Sequence, residues 1–371
     1  MIRLQAVQMR EIHLPLIHRF ETSFGATSTR RIILLTVFSG EDVGYGECTA
    51  GEDPLYNSET TETAWHILAD FAIPWLLGKE LDQASDAARI LSPIRGNRMA
   101  RAALETALWD LEARQRGMSL SRLIGGERRE IPCGVSIGIQ PSVEALLAKV
   151  RHEVSDGYRR VKIKIKPGWE TEPLRAIRSE FPDLPLMVDA NSAFQLSDLP
   201  LLRRLDEFGL MMIEQPLAHD DIVDHAVLQK QLQTPVCLDE SICSAEDARK
   251  AVELGSCRII NVKLGRVGGF HEARLINDYC SRCGIPLWCG GMLESGIGRA
   301  HNIAMSTLSG FTLPGDVSAS KRYYAEDTVK PPVTVTPSGT ILVPESPGIG
   351  FAPDPDRIER ATVRRREFNF K

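Results

Sequence analysis

The strongest constraint in this sequence is a repeat of ionisable residues at the ends of short apolar runs. Lys164, Asp189, Glu214, Asp239 and Lys263 follow one another at intervals of 25, 25, 25 and 24 residues. Each sits near the end of a run of strand character: VKIKIK (161–166), LMVDAN (186–191), LMMIEQ (210–215), VCLDES (236–241) and RIINVK (258–263). Two further runs flank them, CGVSIG (133–138) and PLWCGG (286–291). Amphipathic segments at 143–155, 221–232, 245–254 and 270–283 fill the intervals. Strands alternating with helices of about 10–15 residues predict βα units and a parallel sheet. Seven runs, with 311–313 as an eighth, predict a TIM-like (β/α)8 barrel. A doubly wound sheet would usually show a glycine-rich phosphate loop after its first strand, and SIGIQPS (136–142) is not one.

The flanks differ in character and predict an α+β capping domain. MIRLQAVQMREIHLPL and RRIILLTVF read as strands around a loop, HRFETSFGATST (18–29), rich in small polar residues. Residues 59–79 and 97–116 read as helices, the second with alanine and leucine on one face. VTVTPSGTILVP (333–344) reads as a hairpin turning at Pro-Ser-Gly. The expected division is a capping region at 1–128, the barrel at 129–325, and a C-terminal segment at 326–371 that packs back on the capping domain.

Composition narrows the function classes. A net charge of −5, from 49 acids and 44 bases, gives no electrostatic footprint for nucleic acid, and Arg364-Arg365-Arg366 is a short run of solvated tail character. No run approaches the roughly 18 apolar residues of a membrane span, and Met1–Gln8 alternates like a strand rather than a secretory leader. The eight cysteines are scattered, and Cys280-Ser-Arg-Cys283 lacks the second pair that a zinc site needs. Reduced cysteines in a cytoplasmic protein are expected.

Taken singly, each charged residue of the repeat has an ordinary explanation. Asp189 could cap a helix. Glu214, two residues before Pro216, could serve a turn, and Asp239 could cap the helix beginning near Ser244. Lys263 could be a solvated loop residue, and the lysines of VKIKIK could line a water-facing edge strand. Together they point elsewhere, because barrel enzymes place their chemistry at the C-terminal ends of the strands. Adjacent strands lie about 4.8 Å apart, so three carboxylates at matched depth should crowd together and require a cation. Hard oxygen donors without histidine or cysteine suit Mg2+, with Mn2+ or Co2+ as substitutes. Lys164 and Lys263 would flank that centre from nearly opposite sides. Desolvation, the cation and the neighbouring Lys162 should draw a lysine pKa towards neutrality. Such a site fits removal of a proton next to a carboxylate, with the charge of the enediolate stabilised by the cation.

KIK (162–164), VDAN, IEQP, LDES and NVKLGRVGG, in that order, resemble the muconate-lactonizing branch of the enolase superfamily. GYGECTAGEDPLYNSE, IPCGVSIGI, KIKPGWETEP, PLWCGGMLESGIGRA and FTLPGDVSAS are similar to the o-succinylbenzoate synthases and N-acylamino acid (N-succinylamino acid) racemases within it. The resemblance covers almost the whole chain. It implies Asp189, Glu214 and Asp239 as Mg2+ ligands, Lys164 and Lys263 as the acid/base pair, and Lys162 as the lysine that tunes the first base. It further implies Asn191 in support, Ser136 and Gly290-Gly291-Met292 against the distal part of a small carboxylate substrate, and Phe24 and Tyr56 closing the mouth. Asp316-Val-Ser318 departs from the DxD of dipeptide epimerases. Epimerase and muconate-type cycloisomerase activities remain alternatives, as does a non-catalytic binding barrel. A homo-oligomer is expected.

Overall fold

The computed structural model describes residues 1–370. Seven parallel strands follow one another in chain order: Val135–Ile137, Val161–Lys164, Leu186–Asp189, Ile213–Glu214, Val236–Leu238, Ile259–Val262 and Leu287–Cys289. Helices separate them, and the whole is an α/β, TIM-like barrel.

No regular eighth strand forms at 311–313. The irregular segment around it closes the ring instead, since the N–H of Leu287 donates to the Gly310 carbonyl, and those of Asp316 and Gly134 donate to Cys289 and Gly315. Pro314 has no N–H to give and is flanked by glycines at 310 and 315, so a continuous ladder cannot propagate.

The capping sheet is antiparallel, in the order Thr362–Asn369, Ala6–Glu21, Ala26–Ser39, Asp42–Cys48. The helix Arg98–Gln115 lies on it so closely that a Cβ on Gly46 would sit 2.0 Å from the Ala103 carbonyl oxygen. Only glycine permits that approach. The expected loop at 18–29 is mostly strand: Phe20 pairs with Thr27 and Glu21 with Ala26, leaving residues 22–25 as the turn. Its threonines are β-branched and suit a ladder, which outweighed their polarity.

The expected hairpin at 333–344 also differs. A turn forms there, with the Gly339 N–H on the Thr336 carbonyl, but Thr340–Leu342 pairs with Glu130–Pro132 at the foot of the barrel. Of the C-terminal segment, Thr362–Asn369 enters the capping sheet, along Ala6–Ile12.

The barrel interior is layered. Met187, Met212, Cys237, Ile259 and Trp288 form a small apolar cluster of their own, distinct from the main core. Val161, Ile163 and Ile165 join the main core, so the alternate residues Lys162 and Lys164 turn inward. Both are buried. Lys166, leaving the strand, is 42% exposed at its side chain.

Candidate active site

Parallel pairing sets the depth of the charged residues. Lys164 is registered against Asp189, and Asp189 against Glu214. Lys162, two residues earlier on its strand, lies one inward layer deeper, beside Met187. Its Nζ is 4.8 Å from the Trp288 ring centroid. Lys263 ends the sixth strand, four places round the ring from Lys164. The backbone turns sharply where these strands end: Asn191, Ser192 and Gln215 have positive φ, and none is glycine. Strain of this kind collects where a fold fixes functional groups.

Two charge clusters result. In the first, Lys164 Nζ donates to Asp189 Oδ2 and Asn191 Oδ1, both at 2.6 Å. Lys162 Nζ donates to the same Asp189 oxygen at 3.1 Å and to Glu214 Oε2 at 2.9 Å, and pairs with Asp316 Oδ2 at 2.7 Å. In the second, Lys263 Nζ donates to Asp239 Oδ2 at 2.8 Å and to the Tyr56 hydroxyl at 3.1 Å. Arg266 donates to the other Asp239 oxygen and to the Tyr56 hydroxyl. A Cβ on Gly290 would lie 2.6 Å from Lys263 Cε and 2.3 Å from Asn261 Oδ1, so glycine there leaves room for the lysine.

The electrostatics follow. Burial opposes the charged form of Asp189, but Lys164 and Lys162 outweigh it and hold the carboxyl below its usual range. Burial and the charge of Asp189 push Glu214 up. Burial and Asp189 also raise Glu240, to about 7. The surrounding acids set the charge state of two of the lysines. Burial does pull Lys162 and Lys263 down, but Asp316, Glu214 and Asp189 around the first more than compensate. So do Tyr56, Glu240 and Glu214 around the second. Both ammonium groups are held above their ordinary range.

Asp189, Glu214 and Asp239 offer only hard oxygen donors, which suits a divalent cation such as Mg2+. Two more oxygens, Glu240 Oε2 and Asn261 Oδ1, are buried without hydrogen-bond partners. Their residues are tied to this centre, Glu240 by accepting from Asn191 at 2.9 Å and Asn261 by donating to Glu214 at 2.7 Å. Orphaned buried oxygens are costly unless a cation or donor meets them. The three expected ligands do not converge on one point, however. Among the described residues no three His, Cys, Asp or Glu side chains are gathered closely enough to enclose an ion. Ammonium and guanidinium groups occupy the carboxylate oxygens instead. The donor chemistry fits Mg2+, and the lysines hold the oxygens it would use.

Above the charges is a cavity of about 570 Å3 between the capping domain and the barrel. Lys164, Lys263, Asn191, Gly291, Met292, Phe24 and Tyr56 all line it. Ser136 does not. It is registered against Lys162, one layer down, and its Oγ is buried without a partner. Tyr56 is no rim residue, because its hydroxyl reaches Asp239 at 3.1 Å.

Sequence reading passed over Glu240, Asn261, Arg266 and the Arg160–Asp316 pair (2.7 Å). One signal was available: Leu264–Val267 is a helical turn, which brings the residue at i+3 back over Lys263.

Residues 5–125 match the model of the mandelate racemase / muconate lactonizing enzyme N-terminal domain, and residues 145–357 match the enolase C-terminal domain-like model. An o-succinylbenzoate synthase of Geobacillus kaustophilus is 52% identical over 97% of this chain and 96% of its own length. An N-succinylamino acid racemase of Thermus thermophilus is 48% identical over 98% of this chain and 99% of its own. The crystal structure of an enolase superfamily member from Listeria innocua superposes with a TM-score of 0.96 at 42% identity, over 100% of both chains. A muconate cycloisomerase of Rhodococcus opacus is more distant, at 25% identity over 96% of this chain and 98% of its own.

Proposed function

The chain belongs to the enolase superfamily, alongside o-succinylbenzoate synthases and N-succinylamino acid racemases, and from that premise we propose that it removes a proton next to a substrate carboxylate. The activity is o-succinylbenzoate synthesis by dehydration, a step towards menaquinone, or racemisation of N-succinyl or other N-acyl amino acids, or both. The observation that best supports this is the pair Lys164 and Lys263. They line one cavity and arise four strands apart, so an α-carbon between them meets a lysine on each face.

In racemisation one lysine, once deprotonated, takes the α-proton, and the ammonium of the other returns a proton to the opposite face. In dehydration Lys164 takes the proton, and a lysine ammonium assists the departing hydroxide. Asn191 and Asp189 hold the Lys164 nitrogen in place, while Tyr56 and Asp239 hold that of Lys263. When bound, Mg2+ supplies positive charge beside the carboxylate whose neighbouring C–H is broken. Asp189, Glu214 and Asp239 would hold it.

Phe24, Gly291 and Met292 line the wider part of the cavity and suit the distal portion of the substrate. Asp316 is locked between Lys162 and Arg160, which leaves no free carboxylate there for a peptide amine. That favours acylated substrates over dipeptides. No helix among the described residues is long and apolar enough to cross a membrane. All eight cysteines are free, which suits a cytoplasmic enzyme.

Two rates on the purified protein test this reading: dehydration of the cyclohexadiene precursor of o-succinylbenzoate, and racemisation of a panel of N-succinyl and N-acetyl amino acids. At least one should proceed, stop with EDTA and return with Mg2+. Inactivity on both, or indifference to chelation, would contradict it.

A further inference from the structure

Two adjoining cavities lie outside the site described above. They open where the strand Ala6–Glu21, the helix Val143–Ser155 and the turn Ser320–Arg322 meet. Their volumes are about 190 and 120 Å3, and His18, Lys149 and Arg322 line both. Arg19 lines the first, and His152 and Lys321 line the second. Four permanent cations and two histidines thus face two acids, Glu153 and Asp156.

The cations are incompletely satisfied. The Arg322 side chain is only 10% exposed, and its NH2 lies 3.2 Å from Glu153 Oε1. It donates to the Ser136 carbonyl at 2.6 Å, yet its Nε has no hydrogen-bond partner. Lys149 reaches the same Glu153 oxygen at 3.3 Å. That oxygen also lacks a hydrogen bond, so both contacts are ion pairs without hydrogen-bond geometry. Lys321 pairs with Asp156 at 2.9 Å but is 73% exposed. Partly buried cations that share one carboxylate oxygen are incompletely neutralised, and an anion beside them is stabilising.

We propose that this pocket binds a small oxyanion of the phosphate or sulfate class, held chiefly by Arg322, Lys149 and His18. The ligand would tie the capping strand to the barrel. Phe20 lines both this pocket and the large cavity, so occupancy would steady the arm that carries residues 22–25 over the proposed active site.

The test is thermal unfolding of the metal-free protein with increasing inorganic phosphate or sulfate, against chloride at equal ionic strength. A saturable rise in Tm is expected with either oxyanion and not with chloride. Lys149→Ala should abolish the rise while leaving turnover without added phosphate unchanged. His18→Gln should weaken the apparent affinity by about tenfold. Lys164→Ala, which alters the other cavity, should leave the response intact. An equal rise with chloride, or a rise unchanged in both Lys149→Ala and His18→Gln, would overturn the proposal. So would loss of the response in Lys164→Ala, which would put the anion in the large cavity.

Discussion

Lys162 and Lys164 donate to the same oxygen, Asp189 Oδ2, at 3.1 and 2.6 Å. Two ammonium groups on one carboxylate oxygen repel each other, and the surrounding acids divide them unequally. Lys162 is also held by Glu214 and Asp316, whereas Lys164 adds only the neutral Asn191 and faces the cavity.

The two lysines should therefore fail differently. In Lys162→Met, Glu214 and Asp316 stay buried with one cation fewer, and such a break costs about 3–5 kcal/mol. Urea unfolding should show that loss. Lys164→Ala leaves Asp189 paired with Lys162, so its stability should fall much less while turnover drops by about 10²–10⁴-fold. Reversed outcomes would show that Lys162 is the base.

Gly290→Ala should disable the site without unfolding the protein. The added Cβ would lie 2.3 Å from Asn261 Oδ1 and 2.6 Å from Lys263 Cε, and of the two the lysine, with its flexible stem, gives way more readily. Moving it displaces the ammonium from Asp239 and Tyr56, and a misplacement of about 1 Å costs about 10²-fold in rate. Steady-state kinetics should show the loss mainly in kcat. Wild-type kcat would contradict the assigned position of Lys263.

Stability should fall as pH rises through the neutral range. Burial pushes the carboxyls of Glu47 and Glu105 up to about 7, from an ordinary value of 4.5. Between those limits the folded state keeps protons that the unfolded state releases, so the stabilisation is full below about 4.5 and gone above about 7. Each group contributes on the order of 3 kcal/mol across the window. Glu105→Gln removes one titration, and its unfolding free energy should decline less between about pH 5 and 8. A slope equal to that of the parent protein would contradict this.

Much of the site was legible because a βα unit has a nearly constant length and barrel chemistry gathers at strand ends. Lys164, Asp189, Glu214, Asp239 and Lys263 carry that phase in the sequence. Arg266 and Asp316 do not. Arg266 acts from a helical turn outside the repeat, and Asp316 meets Lys162 and Arg160 only when the ring closes. The partners of the lysines were only partly legible for a related reason. Spacing shows that lysines and acids share a layer, but Lys263 is held up by Tyr56 and Glu240, neither of which stands in the repeat. The strands around residues 18–29 were hidden because small polar residues suit a loop as well as a ladder.

Lys164 and Lys263 are proposed to exchange protons with opposite faces of one α-carbon. The direct measurement is α-proton exchange in D2O, followed by NMR, for each enantiomer of an N-succinylamino acid with Lys164→Ala and Lys263→Ala. Each variant should lose racemisation yet still exchange one enantiomer, and the two should retain opposite ones. Exchange of the same enantiomer by both variants, or undiminished racemisation by either, would contradict the account.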